Sequence, residues 1–183
     1  MIKIPFGAAR SDKLSVHYWK EVPDFPIITM GIGTYMVPGV IRTSIENDFK
    51  VKRNPVHNIH VGNYTAIAAD TSFIVGCNHN YHALAQGGPR GMYCPPDLET
   101  LWPNKGQIIV QNDVWIGSSA TIMGGVTIHN GAVIAANSHV VKDVPPYAIV
   151  GGNPARVLKY RFSQLESQKF SKQKQLFMTL WYP

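Results

Sequence analysis

From Val110 to Val144 the chain repeats itself every six residues: VQNDVW, IGSSAT, IMGGVT, IHNGAV, IAANSH, VVKDVP. An aliphatic residue opens each six, at Val110, Ile116, Ile122, Ile128, Ile134 and Val140. A small or β-branched residue recurs four places later, at Val114, Ala120, Val126, Ala132, Ser138 and Val144. That period matches neither the 3.6 of a helix nor the alternation of a long strand. It is the period of a parallel β-helix, whose unit is a short strand and a turn. Three such units make one coil of a triangular prism. The opening aliphatics point inward and stack, and the fourth-place residues stay small because they sit near the corners. Asn and Gly at Asn112, Gly117, Gly124, Gly125, Asn130, Gly131 and Asn137 suit turns, because they tolerate left-handed backbone angles. One coil cannot bury its own core, so several must stack.

The same pattern extends upstream with interruptions. Residues 27–157 are predicted to form the β-helix, starting with IITMGIGTYMV, bulging over 41–58, and resuming at VGNYTA, IAADTS and FIVGCN. Between about residues 80 and 107 the rhythm stops. That stretch is rich in Pro and Gly and reads as an excursion loop that leaves the prism and returns. Residues 1–26, with Pro5, Pro23 and Pro26, read as an irregular N-terminal arm. Pro145 and Pro146 are expected to help end the stacking, since neither donates a backbone hydrogen bond. Residues 161–181 read as a C-terminal helix with an apolar stripe of Phe162, Leu165, Phe170, Phe177 and Leu180. Ser163 and Glu166 have the spacing of a capping box at its start. The expected architecture is all-β, a single domain over 1–183.

Composition narrows the function. The 183 residues carry a net charge of +6, which suits an anionic ligand. The basic residues are spread out rather than interleaved with aromatics, which argues against nucleic acid. Cys77 and Cys94 are too few for a disulfide framework and suit a reducing compartment. The N-terminus shows no apolar run of signal-peptide length, and no segment is long enough to span a membrane. The expected location is the cytoplasm.

NDVWIG (Asn112–Gly117), AANS (Ala135–Ser138), KDVPPYAIVGGNPARV (Lys142–Val157) and the Asn78-His79 pair before the loop resemble the hexapeptide-repeat acyltransferases. The resemblance points to their xenobiotic branch of chloramphenicol, streptogramin and sugar O-acetyltransferases, and covers most of residues 30–162. It implies a left-handed parallel β-helix, an exception to right-handed crossovers. It implies a homotrimer with acetyl-CoA and acceptor bound between subunits, and no metal. The catalytic base at the start of the excursion loop matches His79. A neutral imidazole suits that task, because an acceptor hydroxyl must lose its proton as it attacks the thioester carbonyl. No acyl-enzyme is required. Trp115, Gly117, Ala135, Ala136 and Arg156 match cofactor-binding positions, Arg156 as the cation after the GGNP turn. Tyr35 matches an aromatic that borders the acceptor pocket. His82, in the same NHNYH run, is the second histidine near the acceptor. Members of the xenobiotic branch often read NGANH where this chain reads VGCNHNYH, so their acceptor specificity does not carry over.

Read without the resemblance, each residue has a plainer role. His79 is a loop histidine, and Gly117, Ala135 and Ala136 are ordinary turn residues. Trp115 and Tyr35 are packing aromatics, and Arg156, Lys159 and Arg161 are a solvated basic face. Cys77, two residues from His79, invites a Cys–His nucleophile but suits a small buried thiol better. His57 and His60 could line the same cleft; His129 and His139 read as turn or surface residues. The predicted reaction is transfer of an acetyl group from acetyl-CoA to a hydroxyl of a sugar or polysaccharide precursor. The alternatives are a xenobiotic O-acetyltransferase and an amino-sugar N-acetyltransferase. A serine acetyltransferase is disfavoured, because its His–Asp dyad motif is not visible. A γ-carbonic-anhydrase-like zinc enzyme needs three His ligands, and His129 and His139 lie ten apart instead of the expected five. A non-catalytic β-helix scaffold is the last alternative.

Overall fold

The computed structural model describes residues 2–4, 15–19, 22–43, 58–76, 78–82, 105–163 and 166. Along these the strands are β1 (Ile2–Ile4), β2 (Ser15–Trp19), β3 (Val22–Met30), β4 (Tyr35–Met36) and β5 (Gly39–Thr43). Then follow β6 (Ile59–Val61), β7 (Ala66–Ile67), β8 (Ser72–Val75), β9 (Ile108–Val110), β10 (Trp115–Ile116) and β11 (Thr121–Met123). The chain closes with β12 (Thr127–Ile128), β13 (Val133–Ile134), β14 (His139–Val140), β15 (Ala148–Gly151) and β16 (Arg156–Tyr160).

Three sheets form the walls of a prism. The first wall has the order β1-β5-β8-β11-β14, the second β16-β15-β13-β10-β7-β4, and the third β12-β9-β6-β3-β2. Each coil visits the third wall, then the second, then the first. Successive coils pair in parallel, as Trp115 and Ile116 do with Val133 and Ile134, 18 residues on. The hexapeptide period is therefore one wall per six residues.

The inward columns explain the aliphatic openers. On the third wall Met30, Val61, Val110 and Ile128 are register partners in turn. On the second, Met36, Ile67, Ile116, Ile134 and Val150 stack. On the first, Ile41, Phe73, Ile122 and Val140 stack. All are buried, as are the small fourth-place residues Val114, Ala120, Val126, Ala132, Ser138 and Val144. Each large aliphatic so buried contributes roughly 1.5–3 kcal/mol relative to exposure.

The corner between the third and second walls is held by a ladder of asparagines. Asn63 Oδ1 accepts from the Ile32 N–H at 2.9 Å, Asn112 Oδ1 from the Asn63 N–H at 2.8 Å, and Asn130 Oδ1 from the Asn112 N–H at 3.0 Å. Buried Thr34 and Thr65 add a second ladder, with Thr34 Oγ1 accepting from the Thr65 N–H at 3.0 Å. These side chains satisfy corner amides that no strand partner reaches.

Several expectations need revision. Part of the supposedly irregular arm is strand. β2 pairs antiparallel with β3 at the edge of the third wall, and β1 pairs antiparallel with β5 at the edge of the first. Pro23 and Pro26 fit because β3 meets β6 only over Ile28–Met30, leaving both prolines to the irregular pairing with β2. Nor does stacking stop at Pro145 and Pro146. Val144 bridges Ile128 in parallel, and β15 continues the second wall on β13. The prolines occupy a corner, where no ladder donor is demanded. The wall then ends in the β15–β16 hairpin. Of the C-terminal helix, only its start lies within the described residues. There the Ser163 N–H and Oγ–H both donate to Glu166 Oε2, at 2.9 and 2.6 Å, and the Glu166 N–H reaches Ser163 Oγ at 3.4 Å. Most of the excursion loop, like Cys77, His57 and Cys94, lies outside the described residues.

Candidate active site

Both interruptions of the repeat leave the prism at one corner. From Met30 to its partner Val61 is 31 residues, one coil of 18 plus 13 more (31 − 18). From Val61 to Val110 is 49 residues, one coil plus 31 (49 − 18). The extra chain follows β5 in one case and β8 in the other, so each insertion runs from the first wall to the third. The next coil passes the same corner through Gly124 and Gly125 alone. The Gly124 N–H donates to the Ile74 carbonyl at 2.7 Å, where the excursion loop departs. The Gly125 N–H donates to the Gly106 and Gln107 carbonyls at 3.2 and 2.9 Å, where it returns. Gly125 has a positive φ of 82°, and a Cβ there would strike the Lys105 carbonyl oxygen.

His79 and His82 lie just beyond this departure point, both exposed. The His82 N–H donates to Asn80 Oδ1 at 3.0 Å, and its ring lies 4.2 Å from that of Tyr81, tilted by 42°. His79 thus offers an accessible imidazole at the corner from which the loop springs.

The other candidates gather at the corner between the second and first walls. The Gly117 N–H donates to the Ile134 carbonyl, and the Ala135 N–H to the Val150 carbonyl, so Gly117, Ala135 and Gly151 stack coil on coil. Arg156 is the register partner of Gly151, which places its exposed guanidinium at the end of that stack. Ala135 is half-buried and Ala136 exposed. The result is a corner of small residues ending in a cation. Trp115 lies on the adjoining outer face of the second wall and is 57% exposed. Tyr35 shares that face two coils away, with Ala66 between them in register.

Within one chain, then, Trp115, Gly117, Ala135, Ala136 and Arg156 form one cluster, joined along the outer face by Tyr35. His79 and His82 form another. The first wall separates the two, about 20 Å of chain from Gly117 to Gly124 at about 3.3 Å per residue.

Sequence reasoning missed a polar cluster on the outer face of the third wall. Gln107 Nε2 donates to Asn58 Oδ1 at 2.6 Å and lies 3.3 Å from His60 Nε2, and His60 Nδ1 lies 2.8 Å from Thr29 Oγ1. Among the described residues, no three His, Cys, Asp or Glu side chains group to hold a metal ion.

Residues 108–142 match the family model described as bacterial transferase hexapeptide (six repeats). The chain carries the hexapeptide repeat of bacterial transferases. It is 46% identical over 109 residues to the "Probable macrolide acetyltransferase" of Lysinibacillus sphaericus, covering 56% of this chain and 60% of that protein. It is 40% identical over 119 residues to a chloramphenicol acetyltransferase of Klebsiella aerogenes, covering 62% of this chain and 57% of the relative. The chain therefore spans less than two thirds of the length of either relative. Among solved structures it is similar to a hexapeptide-repeat acetyltransferase of Vibrio cholerae complexed with acetyl coenzyme A. There the TM-score is 0.53 at 27% identity, over 75% of this chain and 62% of that one. The hexapeptide-repeat fold is the left-handed parallel β-helix.

Proposed function

We propose that the protein transfers an acetyl group from acetyl-CoA to a hydroxyl of its acceptor, with His79 as the general base. The observation that carries this reading is the pairing of two features on a hexapeptide-repeat prism. One is an exposed imidazole where the excursion loop leaves. The other is a stack of Gly117, Ala135 and Gly151 that ends at Arg156. A small-residue corner gives a slender pantetheine arm room to lie flat, and a guanidinium at its end suits CoA phosphates. The acetyl-CoA complex of the Vibrio relative supports the same donor.

In this reading His79 takes the acceptor's hydroxyl proton as the oxygen attacks the thioester carbonyl. Backbone N–H groups at the corner steady the oxyanion. The oxyanion then collapses, the carbon–sulfur bond breaks, and the CoA sulfur leaves with a proton. The acetyl group passes directly, so no side chain acts as nucleophile. Because the two clusters sit on opposite sides of the first wall, a working site joins His79 of one copy to the Gly117–Arg156 corner of a neighbour. A homotrimer in the cytoplasm is the assembly this requires.

The acceptor of the first reading is a sugar or polysaccharide-precursor hydroxyl, supported by the departure of VGCNHNYH from the xenobiotic motif. The 46% and 40% identities to macrolide and chloramphenicol acetyltransferases favour a second reading, a xenobiotic hydroxyl. One assay separates them. Free CoA released from acetyl-CoA is followed with a thiol reagent over nucleotide sugars, simple glycans, chloramphenicol, a streptogramin and a macrolide. Turnover with one class names the acceptor. A chain that binds no acetyl-CoA overturns the reading.

A further inference from the structure

The polar cluster on the third wall ties together the two points at which the insertions rejoin the prism. Asn58 is the last residue before β6, and Gln107 the last before β9. Thr29, His60 and Ile109 follow one another in register across three coils, and all lie on the outer face. The Gln107 amide nitrogen has two hydrogens. One goes to Asn58 Oδ1 and the other to His60 Nε2. His60 Nε2 is therefore an acceptor, so the ring proton sits on Nδ1 and is donated to Thr29 Oγ1. The hydrogen bonds run in one direction, Gln107 to His60 to Thr29.

This chain reaches the corner of His79. The Gln107 carbonyl accepts from the Gly125 N–H, and the neighbouring Gly124 N–H holds the Ile74 carbonyl, five residues before His79 (79 − 74). Fixing the side chain of Gln107 fixes the returning strand of the loop, which shares its anchor with the departing strand.

Resting on the acetyl-transfer reading, we propose that Gln107, with Asn58, His60 and Thr29, is a positioning device for the His79 corner. It touches neither donor nor acceptor. It holds the loop's root in one place, so that the base meets the acceptor hydroxyl at reacting distance. It also makes His60 a fixed tautomer with a structural task, a role that a lone loop histidine would not have.

Two substitutions in the full chain separate hydrogen bonding from bulk. Gln107→Met keeps length and volume and removes the donor. Gln107→Glu removes the donor but allows the clasp to reform in reverse. The Asn58 amide rotates to donate Nδ2–H, His60 moves its proton to Nε2, and the Thr29 hydroxyl donates to Nδ1.

The expected results are specific. The nitrogen-15 shifts of His60 show an Nδ1-protonated ring in the wild type and an Nε2-protonated ring in Gln107→Glu. Amide exchange at Gly124, Gly125 and Ile108 speeds up by about tenfold or more in Gln107→Met, with Thr121 and Asn137 as unmoved references, and returns towards wild type in Gln107→Glu. With any acceptor that turns over, kcat falls by roughly tenfold or more in Gln107→Met, the KM for acetyl-CoA holds, and Gln107→Glu recovers most of the loss.

A wild-type His60 protonated at Nε2, or equal behaviour of the two variants, overturns the proposal. Should Gln107→Met fail to fold, Thr29→Val cuts the chain at its far end and is read the same way. The ring and exchange measurements need no substrate, so they decide the clasp even if acetyl transfer is never found.

Discussion

Gly117 lies against the backbone of Ala136: a Cβ at position 117 would stand 2.7 Å from the Ala136 nitrogen and 2.9 Å from the Ile134 oxygen. Those atoms belong to the next coil and cannot swing aside as a side chain would. Gly117→Ala is expected to pry the coils apart, at a cost of about 1–3 kcal/mol. The measurement is a denaturant midpoint beside acetyl-CoA binding. An unchanged midpoint with binding lost would assign the glycine to the pantetheine path alone.

Asn112 joins three coils. Its Oδ1 accepts from Asn63 N–H at 2.8 Å, and its Nδ2 donates to Asn130 Oδ1 at 3.1 Å. Asn112→Ala leaves the Asn63 amide without its acceptor, at an expected cost of about 1–3 kcal/mol. Exchange at the Asn63 amide should rise with the loss of stability. A stable variant whose Asn63 amide remains protected would show that another acceptor serves that corner.

His79→Ala tests the base. Because the residue is exposed at the loop's root, its removal should leave the thermal midpoint nearly unchanged. The turnover number should fall by roughly 10²–10⁴-fold, the usual contribution of a positioned base. Full activity in the variant would move the role to His82, whose own alanine variant is the companion experiment.

The Ser163–Glu166 cap makes a pH prediction. Hydrogen bonds from the Ser163 hydroxyl and then its N–H hold the Glu166 carboxyl below its ordinary value of 4.5. A carboxyl lowered in the folded state adds stability above the ordinary value and loses it as pH falls through the lowered one. The Ser163 amide resonance should therefore titrate with a midpoint below 4.5, and Ser163→Ala should return the Glu166 midpoint towards it. A midpoint at or above 4.5 in the wild type would contradict the cap.

The columns of the core were legible because each is written locally, one residue in six. Ile116, Ile122, Ile128 and Ile134 are all buried where the period puts them. The corner of Gly117, Ala135 and Arg156 was legible for a different reason, because its motif is continuous in sequence. The strands Ile2–Ile4 and Ser15–Trp19 were hidden, since edge strands with broken register carry no period. The clasp was hidden as well. His60 finds Thr29 across 31 residues, and Gln107 finds Asn58 across 49, distances set by the two insertions and by no local rule.

One corner absorbs both insertions, and the glycine pair 124–125 fastens the longer one at both ends. How much chain lies between those ends does not alter the register of β9 on β6, which is set by inward aliphatics alone. Loop length and loop sequence are thus free to drift while the pitch of the prism stays constant. A new acceptor preference can be grafted onto this scaffold, or evolve on it, without renegotiating the core.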